Sequence, residues 1–251
     1  MISISVCLAT FDGEPFVQEQ VASVLPQLGP EDEFVISDNG SSDGTLAFLQ
    51  AIGDARVRVV VFTEARGPVA NFENAIRLAT REVIVLCDQD DVWFPDRLER
   101  VRRAFSDIRP PPMCLVSDGT RIDAQGQTIA QSNLGALRFR TGFWGNLAKN
   151  SFMGCTMAFR RELLRIALPF PRGIPMHDSW LGILAGWQGT IVVDPNPTYG
   201  YRVHGRNLSH RPRAFRAKIW DRVALGSALL ARMVRSCSRG GTPGPPVEGS
   251  R

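Results

Sequence analysis

VIVLCDQDDVW, residues 83–93, is the stretch that decides the fold. Five apolar residues run unbroken to Cys87, and three carboxylates, Asp88, Asp90 and Asp91, follow within four positions. A short unbroken apolar run reads as a strand covered on both faces, as a parallel sheet requires. If the chain stays extended beyond it, side chains at i and i+2 share a face, so Asp88 and Asp90 are expected to point the same way. Carboxylates crowded at a strand end repel one another unless a cation relieves them. Oxygen ligands of this kind suit Mg2+ or Mn2+, which complete their shells with water and diphosphate oxygens. An acidic surface turn is the competing reading, and the surrounding chain decides between them.

Upstream, residues 2–9 read as a strand, and residues 14–28 carry Phe16, Val17, Val21, Val24 and Leu25 at helical spacing. Strands are then expected over 33–37 and 57–62, and helices over 45–52, 69–80 and, after the acidic turn, 95–106. This alternation argues for a doubly wound α/β sheet. Ligands of such sheets bind beyond the carboxyl ends of the strands. Polar clusters at 10–13, 38–43 and 88–91 fall at those ends and are expected to converge in space. After residue 107 the pattern loosens. Pro110-Pro111-Pro112 marks a break, 113–117 and 151–159 read as strands, and 119–150 reads as loop-rich with a helix near 143–149. Helices are expected over 160–168, 179–187 and 212–236, and strands over 190–193 and 198–203. The Gly-, Pro- and Ser-rich stretch 239–251 is expected to be disordered.

At 251 residues, 44% hydrophobic and 22% charged, the chain has ordinary globular composition and can bury a sizeable core. Five scattered cysteines with no CxxC pair read as free thiols, and a structural zinc site is disfavoured. No secretion signal or bilayer-spanning run is evident, so a cytoplasmic protein, or one peripheral on the inner face of a cell membrane, is expected. From Gly200 onward eleven Lys or Arg face only Asp221 and Glu248, while the first 199 residues carry a net −5. The basic end suggests an anionic partner. No aromatic-basic recognition motif accompanies it, so a nucleic acid is not that partner.

A second signal is DNGSSDGT at 38–45, at the end of the second strand. A carboxylate there can accept hydrogen bonds from a ribose hydroxyl or a base N–H. For Asp43, a turn or helix-cap role weighs as much as a functional one. Asp178 precedes an apolar run and reads equally as a helix N-cap and as a functional carboxylate. An ordinary Asp is ionised at neutral pH and can accept a proton without a large pKa shift. His204 and Arg202, at i and i+2, could face one ligand. Asn71 could contact a nucleotide or start a helix. Trp93 and Trp180 could stack on sugar rings or belong to the core.

Taken in order, Thr10-Phe11, Asp38-Asn39-Gly40-Ser41-Ser42-Asp43-Gly44-Thr45, Asp88-Gln89-Asp90-Asp91-Val92-Trp93, Gly154, His177-Asp178-Ser179-Trp180 and Tyr201-Arg202-Val203-His204-Gly205 resemble family 2 glycosyltransferases of the GT-A fold, and most of all their rhamnosyltransferase-like branch. The resemblance spans residues 2 to about 210. It implies a GT-A-like mixed sheet flanked by helices, and transfer of a sugar, rhamnose among the candidates, from a UDP- or dTDP-sugar to an acceptor hydroxyl in bacterial surface polysaccharide synthesis. It implies that Thr10 and Asp38 hold the nucleobase and its ribose, that Asp88 helps to hold the nucleotide, that Asp90 coordinates Mg2+ or Mn2+, and that Asp178 is the catalytic base. Read from the residues themselves, Phe11, Asn39 and Asn71 are further nucleotide candidates, and His204 could be a metal ligand, a diphosphate donor or a structural histidine. Asp91, Trp93, Gly154, His177, Trp180 and Arg202 are candidates on the acceptor or leaving-group side. Asn39 stands where many members have a second Asp, which leaves the role of that position open. One base without a second carboxylate nucleophile implies inversion, by analogy with glycosidases.

The implied organisation is a catalytic domain over 1–210, with a nucleotide-binding half (1–107) and an acceptor-binding half (108–210). A basic amphipathic helix (211–238) and the tail follow. The acceptor would be a saccharide or a lipid-linked oligosaccharide, and a homodimer stays open. The stripe Phe215, Ile219, Trp220, Val223, Leu230 and Val234 would either lie on an anionic membrane surface or pack on protein. Two rivals remain. A sugar nucleotidyltransferase would carry a Gly-rich phosphate loop where Thr10-Phe11-Asp12-Gly13 stands, and a silent sugar-nucleotide binder or scaffold would have no need of Asp88, Asp90 and Asp178 together.

Overall fold

Ile4–Thr10 forms β1, buried almost throughout, and Val17–Val24 forms α1. The computed structural model describes residues 1–110, 112–205, 207 and 215–237, with backbone only for Phe215, Ala217, Lys218, Ser236 and Cys237. Arg206 and the tail 239–251 lie outside the described residues. The first half continues as β2 (Glu33–Asp38), α2 (Thr45–Gln50), β3 (Val57–Val61), α3 (Pro68–Leu78), β4 (Val83–Asp88), the short β5 (Val92–Trp93) and α4 (Arg97–Asp107). The second half holds β6 (Cys114–Ser117), β7 (Thr120–Ile122), β8 (Thr128–Ala130), α5 (Asn133–Leu137), α6 (Phe143–Ala148), β9 (Met157–Arg160) and α7 (Leu164–Ala167). It ends with α8 (His177–Gln188), β10 (Ile191–Asp194), β11 (Tyr199–Arg202) and α9 (Phe215–Cys237).

Seven strands form one sheet in the order β10-β6-β9-β4-β1-β2-β3. β1, β2, β3 and β4 are mutually parallel, and β9 runs antiparallel between β4 and β6. The sheet is therefore mixed, as expected, and crosses the boundary at residue 107. Its unbroken apolar strands are covered on both faces. Phe72, Ile76, Trp180, Leu184, Leu225 and Leu229 belong to the core on one face. Val17, Val21, Trp93, Leu98, Val101 and Phe105 belong to the core on the other. Each such side chain, fully buried, contributes about 1.5–3 kcal/mol.

A second sheet, β5-β11-β7-β8, pairs the strand expected over 198–203, observed as β11, with short strands where the sequence suggested only turn or loop. Its strands are two to four residues long, too short for alternation to register. β5 leaves the acidic turn and pairs antiparallel with β11, Tyr199 facing Trp93 and Gly200 facing Val92. That pairing carries the segment after β11 to the carboxylates at the end of β4. Two other expectations are corrected. The strand expected over 151–159 begins only at Met157, because Gly154–Thr156 forms a 3-10 turn. Asp178 is not an N-cap. Met176 holds that position without a side-chain cap bond, and Asp178 lies inside the first turn.

Candidate active site

The three polar clusters do converge at the carboxyl ends of β1, β2 and β4. The loops after β1 and β2 are tied together by short-range chemistry. Asp12 Oδ1 accepts from Ser42 N at 2.7 Å, Asp43 Oδ2 from Glu14 N at 3.1 Å, and Thr45 Oγ1 from Gly13 N at 2.8 Å. Asp43 is thereby a loop brace. The Gln89 amide bridges to the β4 turn, accepting from Phe11 N at 2.9 Å and donating to Phe11 O at 3.1 Å. The Phe11 ring itself is 47% exposed, an open aromatic face at the strand ends.

Beneath these loops Asp38 has no exposed surface. Its carboxylate accepts from Thr10 Oγ1, Gly40 N, Ser41 N and Ser41 Oγ at 2.6–3.0 Å. In this conformation Thr10 and Asp38 are engaged with each other and organise the turn. Asn39 explains its own identity. Nδ2 donates to Phe62 O at 2.7 Å and Ala65 O at 2.9 Å, while Oδ1 accepts from Gly67 N at 2.8 Å. A carboxylate could not donate and would face two carbonyl oxygens. Asn39→Asp is therefore expected to destabilise the fold by about 1–3 kcal/mol, the range for buried donors and acceptors left unmatched. A urea-unfolding midpoint equal to that of the unsubstituted protein would refute this clamp. Asn71 Nδ2 donates to Thr10 O at 2.9 Å, and its buried Oδ1 has no partner.

The acidic turn departs from the expectation of an extended chain. Gln89 and Asp90 form a turn, and the carboxylates part company. Asp90 Oδ2 lies 2.7 Å from His204 Nε2 and 3.3 Å from Asn207 Nδ2. Asp91 is fully buried; Oδ1 accepts from Arg202 N at 3.0 Å, and Oδ2 has no partner. Ligand atoms of Asp88, Asp91 and Cys155 lie within 4.8 Å of one another. Burial, then the charges of Asp90 and Asp178, push the Asp88 carboxyl up to about 7. Burial, reinforced by Asp90 and Asp88, pushes Asp91 well above the usual carboxylate range. Such crowding of buried acids is costly without a counter-charge.

Asp178 approaches from α8 and is only 7% exposed. Burial raises its carboxyl to about 7, against hydrogen bonds from Ser179 N, Asn150 and Gly154 and the charge of Arg222. The Asn150 Nδ2 bond measures 3.3 Å. The ordinary ionisation assumed from sequence is thus corrected: burial leaves this carboxyl near the midpoint of its titration at neutral pH.

Several side chains expected on the acceptor or leaving-group side are structural. Trp180 is fully buried, its Nε1 donating to Ala167 O at 3.0 Å. Trp93 is buried beneath the Arg97 guanidinium, 4.7 Å from its ring. Neither ring is open to a sugar. Arg202 is fastened by Asp90 O at 2.9 Å, Ala124 O at 3.2 Å and Glu19 Oε2 at 2.6 Å, so it braces the turn and does not share a ligand with His204. His177 does not hydrogen-bond Asp178. It stacks on Phe72 with centroids 4.0 Å apart, both ring nitrogens lack partners, and burial lowers its pKa to about 3. Gly154 permits that packing, since a Cβ there would stand 2.7 Å from His177 Nε2. Gln89, Asn150, Cys155, Asn207 and Arg222 were not singled out from sequence. Gln89 sat inside the acidic motif and Asn207 three residues after His204, whereas Asn150 lies in a stretch with no periodic signal.

The parallel strands thus end in a cluster of carboxylates, with the buried Asp178 of α8 near them. The chain belongs to glycosyl transferase family 2, whose sequence profile matches residues 5–166. It is 28% identical over 223 residues to the glycosyltransferase TuaG of Bacillus subtilis, named for teichuronic acid biosynthesis, covering 86% of this chain and 85% of that protein. It is 24% identical over 231 residues to the dTDP-rhamnosyl transferase RfbG of Shigella flexneri, covering 84% and 76%. Among solved structures, S. aureus TarS residues 1–349 in complex with UDP-GlcNAc superposes with a TM-score of 0.68 at 17% identity, over 95% of this chain and 73% of that one. The mannosyltransferase PcManGT of Pyrobaculum calidifontis, in complex with GDP-Man and Mn2+, gives 0.61 at 20% identity, over 95% and 76%. These likenesses establish the GT-A fold.

Proposed function

We propose that this chain transfers a sugar from a UDP- or dTDP-sugar to a hydroxyl of a saccharide or lipid-linked oligosaccharide, with inversion, during synthesis of a bacterial surface polysaccharide. Rhamnose is one candidate, on the likeness to RfbG. The observation that carries this reading is geometric: Asp90 Oδ2, in the turn after β4, stands 2.7 Å from His204 Nε2, after β11, although the two residues are 114 positions apart in sequence. The buried Asp178 carboxyl of α8 lies near enough to Asp88 to help raise its pKa, which supports placing the base at the same strand end.

In this reading residues 1–107 hold the donor and 108–210 the acceptor. Phe11 offers its exposed face to the nucleobase, and Thr10, Asp38, Asn39 and Asn71 fix the loops that present it. Asp90 and His204 would hold Mn2+ or Mg2+. Their Oδ2 and Nε2 atoms are 2.7 Å apart, and two ligands on one such ion stand about 3 Å apart. A cation held there neutralises charge on the departing diphosphate. Asp178 takes the acceptor proton as the oxygen bonds to the anomeric carbon and the bond to diphosphate breaks. Burial makes it a stronger base than an exposed Asp, while hydrogen bonds from Ser179 N, Asn150 and Gly154, and then the charge of Arg222, favour its ionised form.

The test is a panel of nucleotide sugars incubated with purified protein, with and without Mn2+, scored for release of nucleoside diphosphate. Metal-stimulated release from a uridine or thymidine diphosphate sugar is expected. Absence of both binding and release across the panel would overturn the reading.

A further inference from the structure

We infer that the outer face of α9 docks on an anionic lipid surface. The helix has two unlike sides. Leu225 and Leu229 are buried in the core that also holds Trp180, and Arg232 fastens the helix by donating to Leu168 O at 2.7 Å and Pro169 O at 2.6 Å. The opposite side carries Ile219, Trp220, Val223, Leu230 and Val234, between 49% and 71% exposed, with Trp220 the most open. Their spacing keeps them on one stripe of a 3.6-residue helix. Of the residues expected to form a stripe these five do form one, the Phe215 side chain lying outside what is described, and the side of α9 that packs on the protein is the other one.

A continuous exposed stripe of this kind marks an interaction surface. Charge selects its occupant. Arg216 and Arg235, both exposed, stand toward the two ends of α9. α9 packs against α6 and fastens to the segment after α7. Residues 131–175, which include α6 and the Leu168–Pro169 contact of α9, hold seven Lys or Arg and a single acid, Glu162, while Asp221 on α9 and Glu73, whose charge reaches Arg232, lie outside that stretch. A second copy docking here would oppose like charges, whereas anionic headgroups would meet both the cations and the apolar stripe. No described helix is long and apolar enough to cross a membrane, so α9 would lie in the plane of the interface, where Trp is favoured. Asn150, which holds Asp178, follows α6 directly, so the docking face and the buried acid belong to one packed unit.

The experiment is co-sedimentation of the full chain with phosphatidylcholine vesicles, with and without phosphatidylglycerol, compared with the double variant Trp220→Ser/Leu230→Ser. Both residues are exposed, so the variant is expected to keep its unfolding midpoint. Binding is expected only to the anionic vesicles, to weaken as salt rises, and to drop about tenfold or more in the variant. Three results would overturn the inference: no binding to anionic vesicles at low salt, equal binding to neutral vesicles, or equal binding by the variant. A dimer that the double substitution dissociates, with no vesicle binding, would assign the stripe to a second copy instead. None of these outcomes depends on the transfer reaction.

Discussion

Asp178→Asn is expected to lower kcat by about 10²–10⁴-fold, the contribution of a general base, while leaving donor binding intact. The amide can still accept from Ser179 N and Asn150, so the first turn of α8 keeps its shape. It cannot take a proton. Because burial raises the Asp178 carboxyl to about 7, turnover of the unsubstituted enzyme should fall as pH drops through about 7, and the residual rate of the variant should lose that limb. Stability should move the opposite way. A carboxyl whose folded pKa lies above its unfolded value near 3.8 favours the fold most below that value, and the benefit is lost as pH rises through about 7. At pH 8 the native protein therefore carries an ionised buried Asp, and the variant is expected to be more stable by a few kcal/mol at most, with the gap closing toward pH 4. Steady-state rates and unfolding midpoints at both pH values check this. Weak donor binding with normal turnover at saturation would instead place Asp178 in the donor pocket.

The sequence was legible where a structural rule acts locally. β4 is an unbroken apolar run as far as Cys87, β1 and β2 are largely apolar with Ser5, Glu33 and Ser37 among them, and their loops announce themselves by Gly, Ser and Asp, so the parallel half of the sheet could be read directly. β7 and β8 could not, since three residues cannot display a period, and β11 owes its place to pairing with β5 more than 100 residues away in sequence. Roles divided along the same line. Asp90 and His204 were expected together and are together, because motif order preserved them. Arg202 and Trp180 carry the same chemical groups in a site as in a core, and only burial separates the two uses. Asn39 was ambiguous because its meaning lies in three backbone atoms of the β3–α3 loop, which no motif encodes.

Asp90→Ala is expected to reduce metal-stimulated turnover by on the order of 10²-fold or more and to weaken Mn2+ binding comparably, since losing even a supporting group beside a metal ligand costs about 10–100-fold. The fold should survive. Arg202 Nε uses the backbone oxygen of Asp90, which alanine retains, and the contact of Arg202 with Glu19 is untouched. The variant also separates two places for the cation. Asp90, His204 and Asn207 form one group of close polar atoms, and Asp88, Asp91 and Cys155 form another. Cys155 would contribute a thiol sulfur, and soft sulfur is a poor ligand for a hard cation such as Mn2+ or Mg2+. One oxygen of Asp91 is already taken by Arg202 N. Cys155→Ala should therefore leave Mn2+ affinity unchanged in titration calorimetry with UDP present, where Asp90→Ala weakens it. The reverse pattern would move the cation to the buried cluster and leave His204 as a hydrogen-bond partner of Asp90.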